Sequence, residues 1–270
     1  CILFFALALV ACSDSDDGGV RITGPEVALG PGRVYPISEV SFTSNDGVLV
    51  SALFGTNEAA ERSPVVLLLH DLGGDKQEWL TSTGLFVELL ERGYATVAID
   101  LRGHGQTPLP DDRQVLLLED LENSFLDVHA ALIWLREQPG VDANRIAVVG
   151  SGSGGNVAYV SLGAFPQQIR TGVSLSAGLW EATSLTPLVV GGAVASFEPR
   201  SMLFMVGEQD ELEGPDTALS YVDFARNLAA ATAEPKSLRI FQDSADHGLD
   251  LINNVPEAEE LLFLWLENNL

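Results

Sequence analysis

A stretch near the middle of the chain constrains the fold more than any other. It runs from Arg145 to Tyr159 and reads RIAVVGSGSGGNVAY. It begins as a β-branched, apolar segment, passes through residues that are only Gly or Ser, and resumes with residues that can continue a helix. This order predicts a strand, a tight turn and a helix. Such a turn requires small residues, because the chain reverses within a few bonds and its central residue takes a strained backbone conformation.

The register of this turn decides which side chain it presents. A turn that presents a nucleophilic serine reads G-x-S-x-G, whereas positions 150–154 read GSGSG, with Ser and Gly exchanged. If Gly150 opens the turn, its central residue is Gly152. If the turn begins one residue later, the central residue and candidate nucleophile is Ser153, with Ser151 as its small neighbour. The sequence leaves both registers open.

Composition narrows the function classes. The chain has 270 residues and a formal net charge of -24, which fits one large domain whose surface repels phosphate backbones. We therefore expect no nucleic-acid partner. Its two cysteines, Cys1 and Cys12, both precede the predicted domain, so no cysteine within it can act as a nucleophile or a metal ligand. The sequence predicts neither a metal site nor a cofactor.

The N-terminal segment has the features of a lipoprotein leader. Residues 1–11 form an uncharged apolar run that is too short to span a bilayer and is typical of a signal peptide remnant. Leu9 to Cys12 reads LVAC and resembles the bacterial lipobox, which predicts lipidation of Cys12. Residues 12–33 would then form a flexible tether to a domain at 34–270. We expect a bacterial envelope location, lipid-anchored on the periplasmic face of the outer membrane, or secretion.

The rest of the chain alternates between strand and helix patterns. A hairpin is predicted at 39–55 around Asn45-Asp46-Gly47. Further strands are predicted at 64–69, 95–99, 146–149, 171–175, 201–206 and 236–241, and helices at 79–92, 115–138, 218–231 and 256–268. This alternation predicts an α/β fold with a mostly parallel sheet covered by helices on both faces. The connection at 179–200 is too short for a large lid, so we expect little or no lid.

Suitable catalytic side chains follow several of these strands. His247 lies in the loop after the last strand, and an imidazole can take up and return a proton near neutral pH. Asp210 follows the strand at 201–206 and precedes His247 in the chain, as the acid does in the order nucleophile, acid, histidine. We expect Asp210 to orient His247, with Glu181 as the alternative acid.

Two backbone N–H groups are expected to stabilise a developing oxyanion. Leu72, which follows the strand at 64–69, would supply the first. The second would come from Ser153 if Gly152 is the central residue of the turn, or from Gly154 if Ser153 is. The other three histidines are expected to be structural: His70 and His104 in turns, and His129 on a helix face.

The chain resembles the bacterial α/β-hydrolases related to dienelactone hydrolases and small carboxylesterases. The matching segments are VVLLLHDLGGDKQEW, GYATVAIDLRGHG, ALIWLREQPGVDANRIAVVGSGSGGNVA, MVGEQD and DHG. The resemblance covers the chain from about residue 36 to its end and implies an α/β-hydrolase fold. It places Asp210 and His247 on the acid and histidine positions, Leu72 on an oxyanion donor, and Gly152 on the nucleophile position. Dienelactone hydrolases themselves have a cysteine at that last position.

Three functional hypotheses follow. The first is a serine hydrolase of carboxylic esters, with Ser153 attacking, His247 as base and Asp210 as orienting acid. The second is a catalytically degenerate binding protein on a hydrolase scaffold, with Gly152 leaving the nucleophile position empty. The third is direct hydrolysis by a water that His247 activates.

Overall fold

The computed structural model describes residues 35–57, 62–178, 197–212 and 219–270. An eight-stranded sheet lies at the centre, in the order β1-β2-β4-β3-β5-β6-β7-β10. Its strands are β1 (Ile37–Thr43), β2 (Leu49–Gly55), β3 (Ser63–Leu69), β4 (Ala95–Ile99), β5 (Val141–Ser151), β6 (Thr171–Leu175), β7 (Arg200–Gly207) and β10 (Ala233–Phe241). A separate two-stranded ribbon is formed by β8 (Glu211–Leu212) and β9 (Leu219–Ser220).

The sheet is parallel except at one edge. β1 and β2 form the predicted antiparallel hairpin, and β2 is also antiparallel to β4. The remaining neighbours pair in parallel, with β3 between β4 and β5. Because the parallel strands run the same way, the loops that follow β3, β5, β7 and β10 all emerge at one edge of the sheet.

Helices cover both faces of this sheet, as predicted. They are α1 (Glu78–Thr81), α2 (Leu85–Glu91), α3 (Leu118–Asn123), α4 (Phe125–Leu135), α5 (Ser153–Ala164), α6 (Tyr221–Ala231), α7 (Leu249–Asn254) and α8 (Pro256–Asn269). Alternate residues of β3 enter two separate cores. Leu67 packs with residues of α4, α5 and α6 on one face, whereas Leu68 packs with residues of α1, α2 and α8 on the other. This period of two is the geometry of a buried strand.

Two predicted helices are shorter and interrupted. The segment predicted at 79–92 divides into α1 and α2, because Gly84 has a φ of 72°, which a right-handed helix cannot contain. The segment predicted at 115–138 begins only at Leu118, because Leu117 is extended and its N–H bonds to the Asp120 carboxylate at 2.8 Å. It ends at Leu135, where the following N–H groups bond three residues back instead of four.

Several expectations concern residues that the structure does not describe. Cys12, the leader at 1–11, the tether at 12–33, Glu181 and most of the 179–200 connection lie outside the described ranges. Within those ranges, no helix has the length and apolar character needed to cross a membrane.

Candidate active site

The sharp turn between β5 and α5 has Gly152 at its centre. β5 ends at Ser151, α5 begins at Ser153, and Gly152 between them has φ 50° and ψ -117°. A side chain on Gly150 would collide with the backbone of Gly154. The turn therefore has the register in which Gly150 opens it and Gly152 takes the strained conformation.

The two serines of the turn, Ser151 and Ser153, make different contacts. The backbone N–H of Ser153 points to the Asp71 carboxylate, at 2.7 Å. Ser151 is buried, and its hydroxyl lies against Gly248 at the edge of the cavity described below. Among the described residues, neither serine hydroxyl forms a hydrogen bond with His247. Attack by Ser153 stays a prediction.

His247 and Asp210 lie together, at the ends of β10 and β7. The Nδ1–H of His247 donates to both carboxylate oxygens of Asp210, each at 3.0 Å. The Asp210 side chain is 3% exposed, and its backbone oxygen accepts the N–H of Tyr221 at 3.1 Å. The ring of Tyr221 packs on the imidazole, with a centroid distance of 4.5 Å. These contacts fix the orientation of the imidazole and turn its Nε2 away from Asp210.

Two backbone N–H groups converge on a single oxygen beside the turn. Those of Leu72 and Ser153 donate to Oδ1 of Asp71, at 2.6 and 2.7 Å. They are the pair expected as oxyanion donors for the register with Gly152 at its centre. Gly154, the expected donor of the other register, lies one residue further along α5, where a side chain would collide with the carbonyls of Leu69 and His70.

Asp71 is the site residue that sequence reasoning missed. Its Oδ2 is 3.4 Å from Nε2 of His247, and its side chain is 34% exposed. A Cβ built on Gly152 would collide with this carboxylate. Asp71 thus fills the volume into which a side chain of residue 152 would project. The available signal was a carboxylate next to the expected oxyanion donor, in a chain whose turn has no side chain at its centre.

Buried polar contacts hold the loop that carries Asp71. His70 donates from Nδ1 to the backbone oxygen of Asp71 at 2.7 Å and accepts the N–H of Leu101 at Nε2 at 3.0 Å. Further along the loop, Lys76 forms a buried ion pair with Asp100 at 2.6 Å. His70 thus lies in the loop where the sequence analysis expects it, and its hydrogen bonds connect the backbone of Asp71 to that of Leu101.

The other two histidines also have structural contacts. His104 packs against the ring of His70 at 5.0 Å, and its Nδ1 donates to the backbone oxygen of Arg102. His129 lies on α4 and stacks on Phe165 at 4.6 Å. Both lie where the sequence analysis expects them, His104 in a turn and His129 on a helix.

The charged groups nearest to His247 are the carboxylates of Asp71 and Asp210. Burial opposes the charged form of His247, but hydrogen bonds and charge attraction from Asp210 and Asp71 raise its pKa to about 9. Burial likewise opposes ionisation of Asp71, whereas the His247 ion pair and the two backbone N–H groups lower its pKa below the ordinary value. At neutral pH the site therefore holds an imidazolium between two carboxylates.

A cavity of about 320 Å³ opens beside this group. Asp71, Ser151 and His247 line it together with Glu78, Leu249 and Asp250. Burial, together with the charges of Asp75 and Asp71, raises the pKa of Glu78. The lining is polar and carries several carboxylates, which suits a small polar molecule. In the described part of the chain, no group of three or more His, Cys, Asp or Glu side chains could hold a metal ion.

Comparison with known proteins gives a match over most of the chain. The model of the Alpha/beta hydrolase family matches residues 66–265. Among curated proteins, the quorum-quenching protein AidA of Acinetobacter baumannii is 32% identical over 119 residues, which are 43% of this chain and 36% of that protein. An uncharacterized protein of Mycobacterium tuberculosis is 30% identical over 119 residues, 44% of this chain and 30% of its own. The match thus spans about a third of the length of these relatives.

Solved structures share the fold at low sequence identity. The acetyl xylan esterase from Paenibacillus sp. R4 superposes with a TM-score of 0.65 at 18% identity, covering 91% of this chain and 88% of its own. The dienelactone hydrolase from Anabaena variabilis gives a TM-score of 0.63 at 18% identity, covering 87% and 99%. At such identities the likeness shows the architecture and leaves the chemistry to the site itself.

Proposed function

Because this chain belongs to the alpha/beta hydrolase family, we propose that it is a hydrolase of a small molecule bound in the cavity beside His247. His247 transfers protons in this reaction, and Asp210 orients its ring. The observation that carries the proposal is the contact of His247 Nδ1 with both oxygens of the buried Asp210, which leaves Nε2 facing the cavity group Asp71. An imidazole so held can exchange a proton at one defined nitrogen.

Carboxylic esters and lactones are the first substrates to test. Carboxylic esters are expected from the sequence, and both an acetyl xylan esterase and a dienelactone hydrolase share the fold. For an ester to react through Ser153, its carbonyl oxygen must reach the backbone N–H of Leu72, which Asp71 occupies in the structure. Asp71 then has to move, so ester turnover through Ser153 is expected to be slow.

The test is an assay of the domain against a panel of short-chain acyl esters, lactones and small epoxides, with wild type and His247→Gln. We expect turnover of at least one class and a loss of about a hundredfold or more in His247→Gln, the usual contribution of a positioned acid or base. Arg226→Gln, a substitution in an exposed pair with Asp223 on α6, serves as the control and should leave the rate unchanged. Absence of turnover across the whole panel would contradict the proposed function.

A binding protein without turnover is the second candidate. Gly152 favours it, because the residue at the centre of the turn has no side chain that could attack a substrate. Saturable binding of panel compounds by calorimetry, without any product, would support this alternative.

We also propose that Cys12 is lipidated and tethers the domain to the bacterial envelope. The apolar run, the LVAC segment and the acidic residues after it support this proposal. The chain expressed in bacteria should incorporate labelled palmitate and partition into detergent, and Cys12→Ser should abolish both. Incorporation that persists in Cys12→Ser would contradict it.

A further inference from the structure

The carboxylate of Asp71 lies between the turn at Gly152 and the ring of His247. Its Oδ1 is held by the N–H groups of Leu72 and Ser153, and its Oδ2 lies 3.4 Å from Nε2 of His247. It fills the space left by the missing side chain of Gly152 and lines the cavity. We propose that Asp71, contributed by the loop after β3, is the nucleophile of this hydrolase and that its substrate is a small polar epoxide. This inference rests on the proposed function.

The hydrogen bonds of Asp71 favour attack on a saturated carbon. A carbonyl substrate would need the two backbone N–H groups for its own oxygen, and both already bind Oδ1. Displacement at a saturated carbon creates no oxyanion on the substrate carbonyl, so it can proceed while Oδ1 stays bound. The second oxygen, Oδ2, supplies the attacking electron pair.

The same hydrogen bonds serve the second step. Once Oδ2 has formed an ester with the substrate, water must attack Cγ of Asp71, and negative charge then develops on Oδ1. The N–H groups of Leu72 and Ser153 are already 2.6 and 2.7 Å from that oxygen. They therefore form a preorganised oxyanion site for hydrolysis of the Asp71 ester.

The proton held by His247 favours an epoxide over a substrate that releases an anion. Opening of an epoxide produces an alkoxide, which needs one proton, and the imidazolium between Asp71 and Asp210 holds one. Esterification of Asp71 removes one of the two negative charges facing His247, which makes this proton easier to release. A halide would instead leave as an anion into a cavity that also contains Glu78 and Asp250.

Atoms and charges balance over the cycle. In the first step the Oδ2–carbon bond forms and the ring carbon–oxygen bond breaks. The alkoxide takes the proton of His247, directly or through a cavity water. Neutral His247 then removes a proton from water as its oxygen bonds to Cγ. The bond between Cγ and Oδ2 breaks, the diol leaves with a proton from His247, and the new Asp71 carboxyl group returns a proton to His247. The sum is epoxide plus water giving a diol.

Glycidol, a small polar epoxide, is the probe, and bromoethanol is its halide counterpart. In His247→Gln ring opening should be slower, because water must then supply the proton to the alkoxide, and the second step should stop. The chain should therefore accumulate the mass of one glycidol on the peptide that contains Asp71. In wild type, repeated turnover in heavy-oxygen water should introduce heavy oxygen into that same peptide, because water attacks Cγ.

Asp71→Asn should form no adduct and lose about a hundredfold or more in turnover, while its circular dichroism shows that it folds. Asp223→Asn, a change at an exposed carboxylate on α6, should behave as wild type.

The outcomes separate this inference from the proposed function. Ester or lactone turnover without a glycidol adduct would overturn the assignment of Asp71 and leave the hydrolase standing. Glycidol turnover without heavy oxygen in the Asp71 peptide would overturn it too, in favour of direct attack by water. An adduct with bromoethanol alone would overturn the epoxide as substrate. If no member of the ester, lactone and epoxide panel reacts, both the inference and the proposed function are contradicted.

Discussion

Two residues that follow neighbouring strands of the sheet share one space. Gly152, after β5, has no side chain, and Asp71, after β3, places a carboxylate in the space that results. A serine hydrolase has the reverse requirement, with a hydroxyl on the turn and room in front of it. In our proposal the reactive group therefore comes from the loop after β3 and not from the turn after β5.

Exchange of these two side chains should convert the chemistry. Gly152→Ser alone should not raise ester hydrolysis above that of the wild type, because its side chain collides with Asp71 and the backbone conformation costs about 1–3 kcal/mol for a residue other than glycine. Asp71→Gly with Gly152→Ser should hydrolyse short-chain esters and react with a fluorophosphonate probe. Measurement of both variants against Asp71→Gly isolates the contribution of the new serine. Labelling of the wild type at Ser153 would contradict this interpretation.

The pH dependence of the first chemical step follows from the His247 pKa of about 9. Below that pKa the imidazolium supplies the proton that ring opening consumes. We therefore expect kcat/KM for glycidol to be level near neutral pH and to fall as pH rises through about 9. A serine mechanism needs neutral His247 and predicts the reverse, a rise toward pH 9. Adduct formation in His247→Gln should show neither trend.

At the scale of elements, the turn between β5 and α5 depends on close approach of backbone segments. A side chain on Gly154 would meet the carbonyl oxygens of Leu69, the last residue of β3, and of His70, the residue after it. The Leu69 oxygen cannot move without disturbing the sheet. The loop that carries Asp71 and the turn at Gly152 are thus held in contact. This contact brings the Leu72 and Ser153 N–H groups to one point.

Gly154→Ala should therefore lower the free energy of unfolding by about 1–3 kcal/mol, as overpacking does in a dense interior. Gly172→Ala is the matched control, because a Cβ there would make only an ordinary contact of 3.4 Å with the backbone oxygen of Val148. It should leave stability within about 0.5 kcal/mol of wild type or raise it slightly. Equal losses in both variants, measured by urea unfolding, would show that the contact at Gly154 is not special.

At the scale of the whole molecule, charge is strongly one-sided. The chain has 38 Asp and Glu against 14 Lys and Arg, so repulsion among surface carboxylates opposes the folded state. Several cations are also committed to local pairs: Arg102, for example, bonds to both Asp46 and Asp127. Salt should therefore stabilise the fold by screening.

We expect Tm at neutral pH to rise when sodium chloride increases from about 0.01 to 0.1 M, since the Debye length falls from about 30 to about 10 Å. Each 1 kcal/mol of relieved repulsion corresponds to about 2–4 °C for a domain of this size. The increase should shrink near pH 5, where carboxylates begin to take up protons. A Tm that falls with added chloride at neutral pH would contradict this account.

The architecture could be predicted from the sequence because each strand has its own pattern of apolar and polar residues. The apolar run before His70 and the alternation around Asn45-Asp46-Gly47 identify buried and half-buried strands without knowledge of their neighbours. The pairing of Asp210 with His247 was also predictable, because parallel strands bring their following loops to one edge.

The function of Asp71 could not be predicted in the same way. It depends on the packing of its loop against the turn at Gly152, and the hydrogen bond between Ser153 and Asp71 is part of that contact. These two residues are 82 positions apart in the chain. The GSGSG letters permit two registers, and only the contacts of Gly150 and Gly154 with neighbouring backbone select one. A residue whose role depends on such a packing contact leaves no periodic signal in the sequence.

The most direct test of the account is the titration of His247 by nitrogen NMR of the imidazole rings, which is practical in a chain with four histidines. We predict a pKa of about 9 for His247 in wild type and a clear fall in Asp71→Asn, where one of its two carboxylate partners is neutral. A pKa near the ordinary histidine value in both proteins would contradict the central claim. It would mean that the Asp71 carboxylate does not lie against the imidazole of His247 beside the turn at Gly152.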